Sequence, residues 1–231
     1  MSVLHPDTLN FLALIKENNS RHFFWIMKPL YEQVRGKLVD FAIELVNEVK
    51  KFDDSLSDTM QAKQCLFRIY RDARRLKEGD PVYKTNFWLH LAPNGKNDTR
   101  AWYYLHIQPW ESFFGGWVYR PTSEELLNLR HYLLKHGDEY LTLTTNKEFV
   151  RQFGQIQGTV LQKTPRWFPK EHKYLGLIMR KQHLIYHKYT DAEIVDENFM
   201  ELFVSHCKLA KDRFHFLNKG YAYNAWKSDE L

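Results

Sequence analysis

Apolar side chains recur at three- and four-residue spacing through the first fifty residues, which is the pattern of amphipathic helices. Pro6 and Asp7 predict the start of a first helix. Asn18 and Asn19 predict its end, because asparagine tolerates the left-handed conformation of a helix C-cap. A short aromatic turn follows, and Pro29 then predicts the start of a long second helix. The apolar face of this helix comprises Leu30, Val34, Leu38, Phe41, Ala42, Leu45, Val46 and Val49.

The middle of the chain is rich in aromatic and branched residues separated by turn residues, which is typical of strands. Strands are predicted at 65–70, 83–91, 101–108, 155–161 and, for the most part, 174–187. The turn residues Pro93, Asn94 and Gly95 predict that the second and third of these strands pair as an antiparallel hairpin. Gly115 and Gly116 indicate a further turn.

Helical periodicity returns in the second half of the chain. Thr122 and Glu125 follow Pro121 with the spacing of a capping box, and a helix carrying Leu126, Leu129, Leu133 and Leu134 is predicted after them. A short helix is predicted at 146–153 and a last helix at 196–217. This order favours an α+β fold, in which N-terminal and C-terminal helices flank a central antiparallel or mixed sheet, over a parallel βαβ array. We expect a single domain over residues 1–231.

Length and composition indicate a globular protein that needs no disulfide. The chain has 231 residues, and its apolar content of 44% is enough to build a core of its own. The two cysteines, Cys65 and Cys207, match no metal or redox spacing, which favours a reducing compartment. The N-terminus lacks the basic start and apolar run of a signal peptide, and no apolar segment is long enough to cross a bilayer. We therefore expect a cytoplasmic protein without a membrane partner.

Positive charge is concentrated in residues 67–85. The net charge of the whole chain is +5, and this segment alone carries six cations, Arg68, Arg71, Arg74, Arg75, Lys77 and Lys84, with three carboxylates, Asp72, Glu78 and Asp80. Crowded guanidinium groups repel one another and are relieved by carboxylates or by a bound anion. The segment therefore predicts either an anion pocket or an arginine–aspartate network that holds a sheet edge.

The predicted pocket has six members, each with a stated part. Arg68, Arg71, Arg74 and Lys84 would bind a carboxylate or phosphate, Tyr83 would offer a hydroxyl, and Asp72 would orient a guanidinium. Should residues 65–72 form a strand, Arg68, Tyr70 and Asp72 would share one face of it. Whether catalysis follows binding stays open, and no catalytic residue is assigned.

The same segment resembles the signature of an uncharacterised and mostly bacterial family, Domain of Unknown Function 2461. That signature reads Arg-x-x-Arg-Asp-x-Arg-Phe-x-x-x-Asp/Asn-Lys-x-x-Tyr, and it is matched here by Arg68, Arg71, Asp72, Arg74 and Tyr83. The chain departs from the signature at three positions. Arg75 stands where the family has Phe, Gly79 where it has Asp or Asn, and Asp80 where it has Lys. Other similarities are Asn18-Asn19, Tyr83-Lys84-Thr85, Gly116-Trp117 and Arg130. The resemblance covers nearly the whole chain and implies a bacterial origin and a shared fold, but no activity.

Other chemistry is less well supported by the sequence. His183 and His187 are spaced like a helical metal pair, but their surroundings predict a strand and no glutamate completes a metalloprotease motif. The acidic residues Asp53, Asp54 and Asp58 predict a solvated loop rather than a metal site. We therefore expect no metal and no cofactor. Nucleic acid or another protein stays open as the alternative partner, since arginines beside aromatic residues can bind phosphates and stack on bases.

Overall fold

The computed structural model describes residues 3–56, 60–94, 98–118 and 121–224. The α-helices in these residues are α1 (Asp7–Glu17), α2 (Arg21–Lys50), α3 (Ala62–Cys65), α4 (Ser123–Thr145), α5 (Lys147–Phe153), α6 (Leu175–Ile178), α7 (Asp191–Ile194) and α8 (Phe199–Ala222), and Ala73–Arg75 forms one turn of 3-10 helix. The strands are β1 (Phe87–Leu91), β2 (Tyr103–Ile107), β3 (Ser112–Gly116) and β4 (Ile185–Tyr189), and they form one antiparallel sheet in the order β1-β2-β3-β4. The predicted α+β class, with N-terminal and C-terminal helices flanking the sheet, is confirmed.

The hairpin of β1 and β2 forms as the alternating pattern predicts. The register pairs Phe87 with Ile107, Leu89 with Leu105 and Leu91 with Tyr103, and all six side chains are buried. Trp88 and His90 point to the opposite face, because successive residues of a strand alternate sides. Pro93 and Asn94 lie in the predicted turn, whereas Gly95 lies outside the described residues.

The boundary between α1 and α2 differs from the prediction in two ways. Asn18 ends α1, but with φ −135° and ψ 97°, so it is extended rather than left-handed. The second helix begins at Arg21 instead of Pro29, because the hydroxyl of Ser20 accepts a hydrogen bond from the Phe23 N–H at 3.1 Å. Pro29 therefore lies inside α2, where its ring nitrogen cannot donate a helical hydrogen bond.

The predicted strand at 65–70 was wrong. Residues Ala62–Cys65 form α3, and the extended residues after it pair only through isolated bridges of Leu66 with Leu89 and of Tyr70 with Tyr83. The segment 155–161 likewise makes only isolated bridges, and 174–187 is mostly α6 and loop rather than strand. The apolar side chains of these segments pack into the core, but their backbones do not form a continuous ladder of strand hydrogen bonds. Periodicity in the sequence does not distinguish these two cases.

Gly115 and Gly116 lie in β3 and do not form the predicted turn. A Cβ atom on Gly116 would lie 1.9 Å from Cζ of Phe214, so the strand backbone passes directly over that ring. The glycine is therefore explained by a close approach of backbone to side chain, and not by turn geometry. The predicted helices at 123 and beyond and at 146–153 are confirmed as α4, with its Thr122–Glu125 capping box, and α5.

The chain divides into two compact units of discontinuous sequence. Unit 1 comprises Met1–Asp98, Tyr103–Phe114 and Lys188–Lys208, and unit 2 comprises Thr99–Trp102, Gly115–His187 and Leu209–Leu231. The core of unit 1 includes Phe11 stacked on Phe87, with ring centroids 6.2 Å apart. The core of unit 2 includes Tyr140 against Phe216, with centroids 5.1 Å apart. The single domain stays a prediction.

Candidate functional site

A cleft of about 360 Å³ lies in unit 1 at the segment that carries the charge cluster. Its lining residues are Arg68, Tyr70, Arg71, Asp72, Arg75, Leu76, Asp80 and Lys84. We call it the arginine cleft. Four of the six residues predicted from the sequence, Arg68, Arg71, Asp72 and Lys84, lie in its wall, whereas Arg74 and Tyr83 do not line it.

Short backbone contacts hold the two sides of the arginine cleft together. The N–H of Arg71 donates to the carbonyl of Val82 at 3.3 Å, and the N–H of Lys84 donates to the carbonyl of Ile69 at 2.9 Å. These two bonds flank the bridge of Tyr70 with Tyr83. Residues that are well separated in sequence therefore present their side chains to the same space.

A turn closes the loop between the two sides. Gly79 has φ +85°, a left-handed conformation that glycine adopts without steric cost. The carboxylate of Asp80 accepts a hydrogen bond from the N–H of Lys77 at 2.9 Å, and the N–H of Asp80 donates to the carbonyl of Lys77 at 3.1 Å. Gly79 and Asp80 together build this turn.

Three guanidinium groups in the arginine cleft are unpaired. Arg68, Arg71 and Arg75 are exposed, and their side chains make no hydrogen bond or ion pair with any described residue. Arg75 was not among the six residues predicted to form the pocket, so the sequence-based prediction missed its position in the cleft. An exposed guanidinium with all its donors available is suited to bind a carboxylate or phosphate through two parallel hydrogen bonds.

Asp72 is occupied by Arg74. Its Oδ1 accepts from Nε of Arg74 at 3.0 Å, and its Oδ2 accepts from Nη2 at 2.8 Å. These hydrogen bonds lower the pKa of Asp72 to about 2, so the carboxylate is ionised at neutral pH. Because the Arg74 side chain is 87% exposed and already bidentate with Asp72, its part is to neutralise that carboxylate.

Lys84 lies at the edge of the arginine cleft and is held in place by its neighbours. Its Nζ donates to the carbonyl of Arg68 at 2.9 Å and lies 4.7 Å from the ring centroid of Trp88 and 5.7 Å from that of Phe67. The ammonium therefore adds a fixed positive charge beside the unpaired guanidiniums.

The cleft wall contains Tyr70 in the place expected for Tyr83. Tyr83 is only 6% exposed and stacks on Phe24 with ring centroids 3.9 Å apart, and burial raises the pKa of its hydroxyl. Tyr70 is 42% exposed and packs edge-on against Phe24 at 5.5 Å. The alternation of Arg68, Tyr70 and Asp72 could have identified this tyrosine, since the extended segment places all three in the cleft.

Asn19 positions the Tyr83 side of the cleft. Its Oδ1 accepts from the N–H of Tyr83 at 2.8 Å, and its Nδ2 donates to the carbonyls of Tyr83 and Ile15, each at 3.1 Å. This asparagine belongs to the pair quoted for the family resemblance, and its side chain joins the end of α1 to the cleft segment.

Replacing Asn19 by alanine is expected to lower the free energy of unfolding by about 1–2 kcal/mol, because both backbone groups of Tyr83 lose their partner. Asn18→Ala is the matched control, since Asn18 is exposed and its side chain accepts only from the nearby Ser20 N–H. Urea unfolding of the two variants measures the difference, and equal losses would remove the positioning role from Asn19.

The histidine pair and the acidic loop take structural positions. His183 bonds to the Tyr140 hydroxyl at 3.0 Å, and Nδ1 of His187 bonds to the carbonyl of Gln152 at 2.7 Å, so the two have separate partners. Asp53 is 1% exposed and accepts from the Tyr103 hydroxyl at 2.5 Å, so the prediction of a solvated loop was wrong for this residue, whereas Asp54 is exposed as predicted. Asp58 lies outside the described residues, and no group of three or more potential metal ligands occurs among those described.

Neither cysteine is an activated nucleophile. Burial raises the pKa of Cys65 to about 11 and that of Cys207 well above its usual value, so both thiols are protonated at neutral pH. Both are free and buried.

Across the described parts of the chain, every helix is too short or too polar to span a bilayer.

Comparison with known proteins identifies the family to which the chain belongs. Residues 7–216 match the family model described as "Conserved hypothetical protein (DUF2461)". No curated protein and no solved structure matches the chain. The match extends over most of the sequence and includes the whole arginine cleft. The predicted resemblance is thereby confirmed, and the chain belongs to the DUF2461 family.

Proposed function

We propose that the arginine cleft binds a small anionic ligand that carries a phosphate or carboxylate group. The observation that carries this proposal is the presence of three guanidiniums, those of Arg68, Arg71 and Arg75, that pair with no described residue and lie in the wall of one solvent-accessible cleft. The cleft volume of about 360 Å³ lies within the range of small-molecule sites, roughly 300–1,000 Å³.

The charge of the cleft wall favours an anion. Four cations line it with two carboxylates, Asp72 and Asp80, and Asp72 is already paired with Arg74 outside the lining. The remaining excess of positive charge repels itself when no anion is bound, and a bound phosphate or carboxylate relieves that repulsion. Tyr70 supplies an aromatic surface beside the cations, against which an apolar part of the ligand can pack.

Binding is tested by thermal unfolding of the wild-type protein and of Arg71→Ala/Arg75→Ala in phosphate, sulfate and citrate at equal ionic strength. We expect Tm of the wild type to rise with anion concentration, by roughly 5–10 °C at about 100 times the Kd. The double variant should lose most of this rise. Lys77→Ala is the matched control, because it removes a cation of the same segment that does not line the cleft.

The same experiment separates the competing explanations. Should the arginines only hold the fold, the double variant would be strongly destabilised without any anion. We expect instead a change within about 0.5 kcal/mol, since these side chains make no hydrogen bond or ion pair with any described residue. A nucleic-acid module would show tight oligonucleotide binding with a steep salt dependence in gel-shift titrations. Failure of all three anions to raise the wild-type Tm would contradict the proposal.

A further inference from the structure

Unit 2 contains a buried arginine that forms no ion pair with any described residue. Arg213 on α8 is 1% exposed, and its Nη2 donates to the backbone carbonyl of His183. Among the described residues, its Nε and Nη1 have no hydrogen-bond partner, although both are shut off from solvent. A guanidinium stays protonated in proteins, so an unpaired one in the interior is among the most costly groups a fold can carry.

A second unpaired group lies beside this arginine. His183 is 2% exposed, its Nδ1 is 3.0 Å from the Tyr140 hydroxyl, and its Nε2 has no partner in the described parts of the chain. A phenol is a stronger donor than an imidazole N–H and an imidazole nitrogen is a stronger acceptor than a phenol, so we assign the proton of this bond to Tyr140. Nε2 then carries the hydrogen of a neutral imidazole. Three buried donors are therefore unpaired, two on Arg213 and one on His183.

The charged side chains that act on His183 are all positive. Burial, together with Arg213, Arg180 and Arg130, lowers the pKa of His183 to about 3. The side chains of these arginines form no ion pair with any described residue, and Arg130 donates from Nε to the carbonyl of Ile178 at 2.9 Å.

Two tyrosines and one glutamate complete the surroundings of this group. Burial raises the pKa of both Tyr140 and Tyr221, although the charge of Arg213 and its side-chain hydrogen bond with Tyr140 act on Tyr140 in the opposite direction. Glu125 acts on Tyr221 from the start of α4, and its carboxylate already accepts from the Thr122 N–H at 2.7 Å. The charges of three arginines thus act on His183, but Arg130 and Arg180 are only half-buried, and the fully buried Arg213 has no bonded carboxylate among the described residues.

We propose that unit 2 holds a small monatomic anion of the chloride class, bound by Nε and Nη1 of Arg213 and by Nε2 of His183. A water molecule could accept from these donors but would leave the guanidinium charge uncompensated. A phosphate would bring four oxygens that need further donors, and the three unpaired atoms each expose less than 1 Å² to solvent. A halide needs only hydrogen-bond donors around it. Because it is small, it also displaces the surrounding side chains least.

The test uses the Arg71→Ala/Arg75→Ala protein, so that binding at the arginine cleft cannot contribute. Thermal unfolding is compared in sodium chloride, sodium bromide and sodium gluconate at equal ionic strength. We expect Tm to be higher in the two halides, by roughly 5–10 °C at about 100 times the Kd, because gluconate is too large to be enclosed. Adding Arg213→Met should abolish the difference, and a difference that survives this change would overturn the proposal.

Diffraction from wild-type crystals grown in bromide provides a test that does not depend on the variant folding. An anomalous peak within hydrogen-bond distance of the Arg213 guanidinium and Nε2 of His183 is the expected result. Bromide peaks confined to the protein surface, with none at Arg213, would overturn the proposal. Neither result bears on the proposed function of the arginine cleft. That proposal is tested separately by the phosphate, sulfate and citrate titrations.

Discussion

Replacement of Phe24 by alanine is expected to lower the free energy of unfolding by about 3–5 kcal/mol, the usual cost of removing a buried phenylalanine. Phe24 is 4% exposed, and its ring lies 3.9 Å from that of Tyr83, 5.2 Å from that of Tyr31 and 5.5 Å from that of Tyr70, measured between centroids. The neighbouring rings belong to three separate segments, so they cannot close the cavity without moving the backbone.

The adjacent residue provides the matched control. Trp25 is larger than Phe24 but is 72% exposed, so Trp25→Ala should change stability by no more than about 0.5 kcal/mol. Phe24→Leu keeps part of the buried volume and should fall between the two. Chemical denaturation of the three variants gives these differences, and a loss at Trp25 equal to that at Phe24 would show that helix α2 itself, and not the aromatic packing, is being measured.

Phe24 also links the core to the proposed site. Tyr70 lines the arginine cleft, and its ring packs edge-on against Phe24. Because the cleft segment is held to its neighbours by isolated bridges rather than by a continuous ladder, its position depends on this packing. We therefore expect Phe24→Ala to reduce the anion-induced rise in Tm even under conditions where the variant remains folded.

Adding one methyl group at position 116, in Gly116→Ala, is expected to lower the free energy of unfolding by about 3 kcal/mol or more. We expect no other addition of a single methyl group to cost as much. The new Cβ would lie 1.9 Å from Cζ and 2.3 Å from Cε1 of Phe214, well inside van der Waals contact. Phe214 is 0% exposed, so its ring has no open space into which it could rotate. The strand or the helix α8 must shift instead.

A double-mutant cycle isolates this clash. Phe214→Leu removes the ring atoms that a Cβ on residue 116 would meet, so Gly116→Ala should cost much less in that background than in the wild type. Gly36→Ala is the control, because a Cβ there meets nothing within 4 Å and alanine should stabilise the helix by about 0.5–1 kcal/mol. Additive losses at positions 116 and 214 would contradict the contact.

The elements predicted well from the sequence are those that their own residues determine. The apolar stripe of α2, the capping box before α4 and the alternation in β1 and β2 all fix local structure through nearby side chains. The start of α2 was misplaced because Ser20 supplies a better cap than Pro29, although both signals are present. The segment 66–70 was wrongly predicted to be part of a strand. Its conformation depends on packing against residues that are far away in the sequence, and the local pattern does not reveal that packing.

The candidate site divides in the same way. Charge density alone identified the segment that forms the arginine cleft, including Arg68, Arg71 and Lys84. It could not separate Arg74 from Arg75, since that choice depends on the tight turn in which Asp72 captures the first of them. The buried pair of Arg213 and His183 gave no signal, because the two lie thirty residues apart and meet only through tertiary packing.

Isothermal titration calorimetry of the arginine cleft tests the central claim most directly. Inorganic phosphate, sulfate and citrate are titrated into the wild type, Lys77→Ala and Arg71→Ala/Arg75→Ala. Anion binding by the unpaired guanidiniums predicts saturable 1:1 binding of at least one of these anions to the first two proteins. In the double variant its affinity should fall by at least about tenfold, because two charge-assisted hydrogen-bond donors are lost. Equal affinity in all three proteins, or no saturable heat in the wild type, would contradict it.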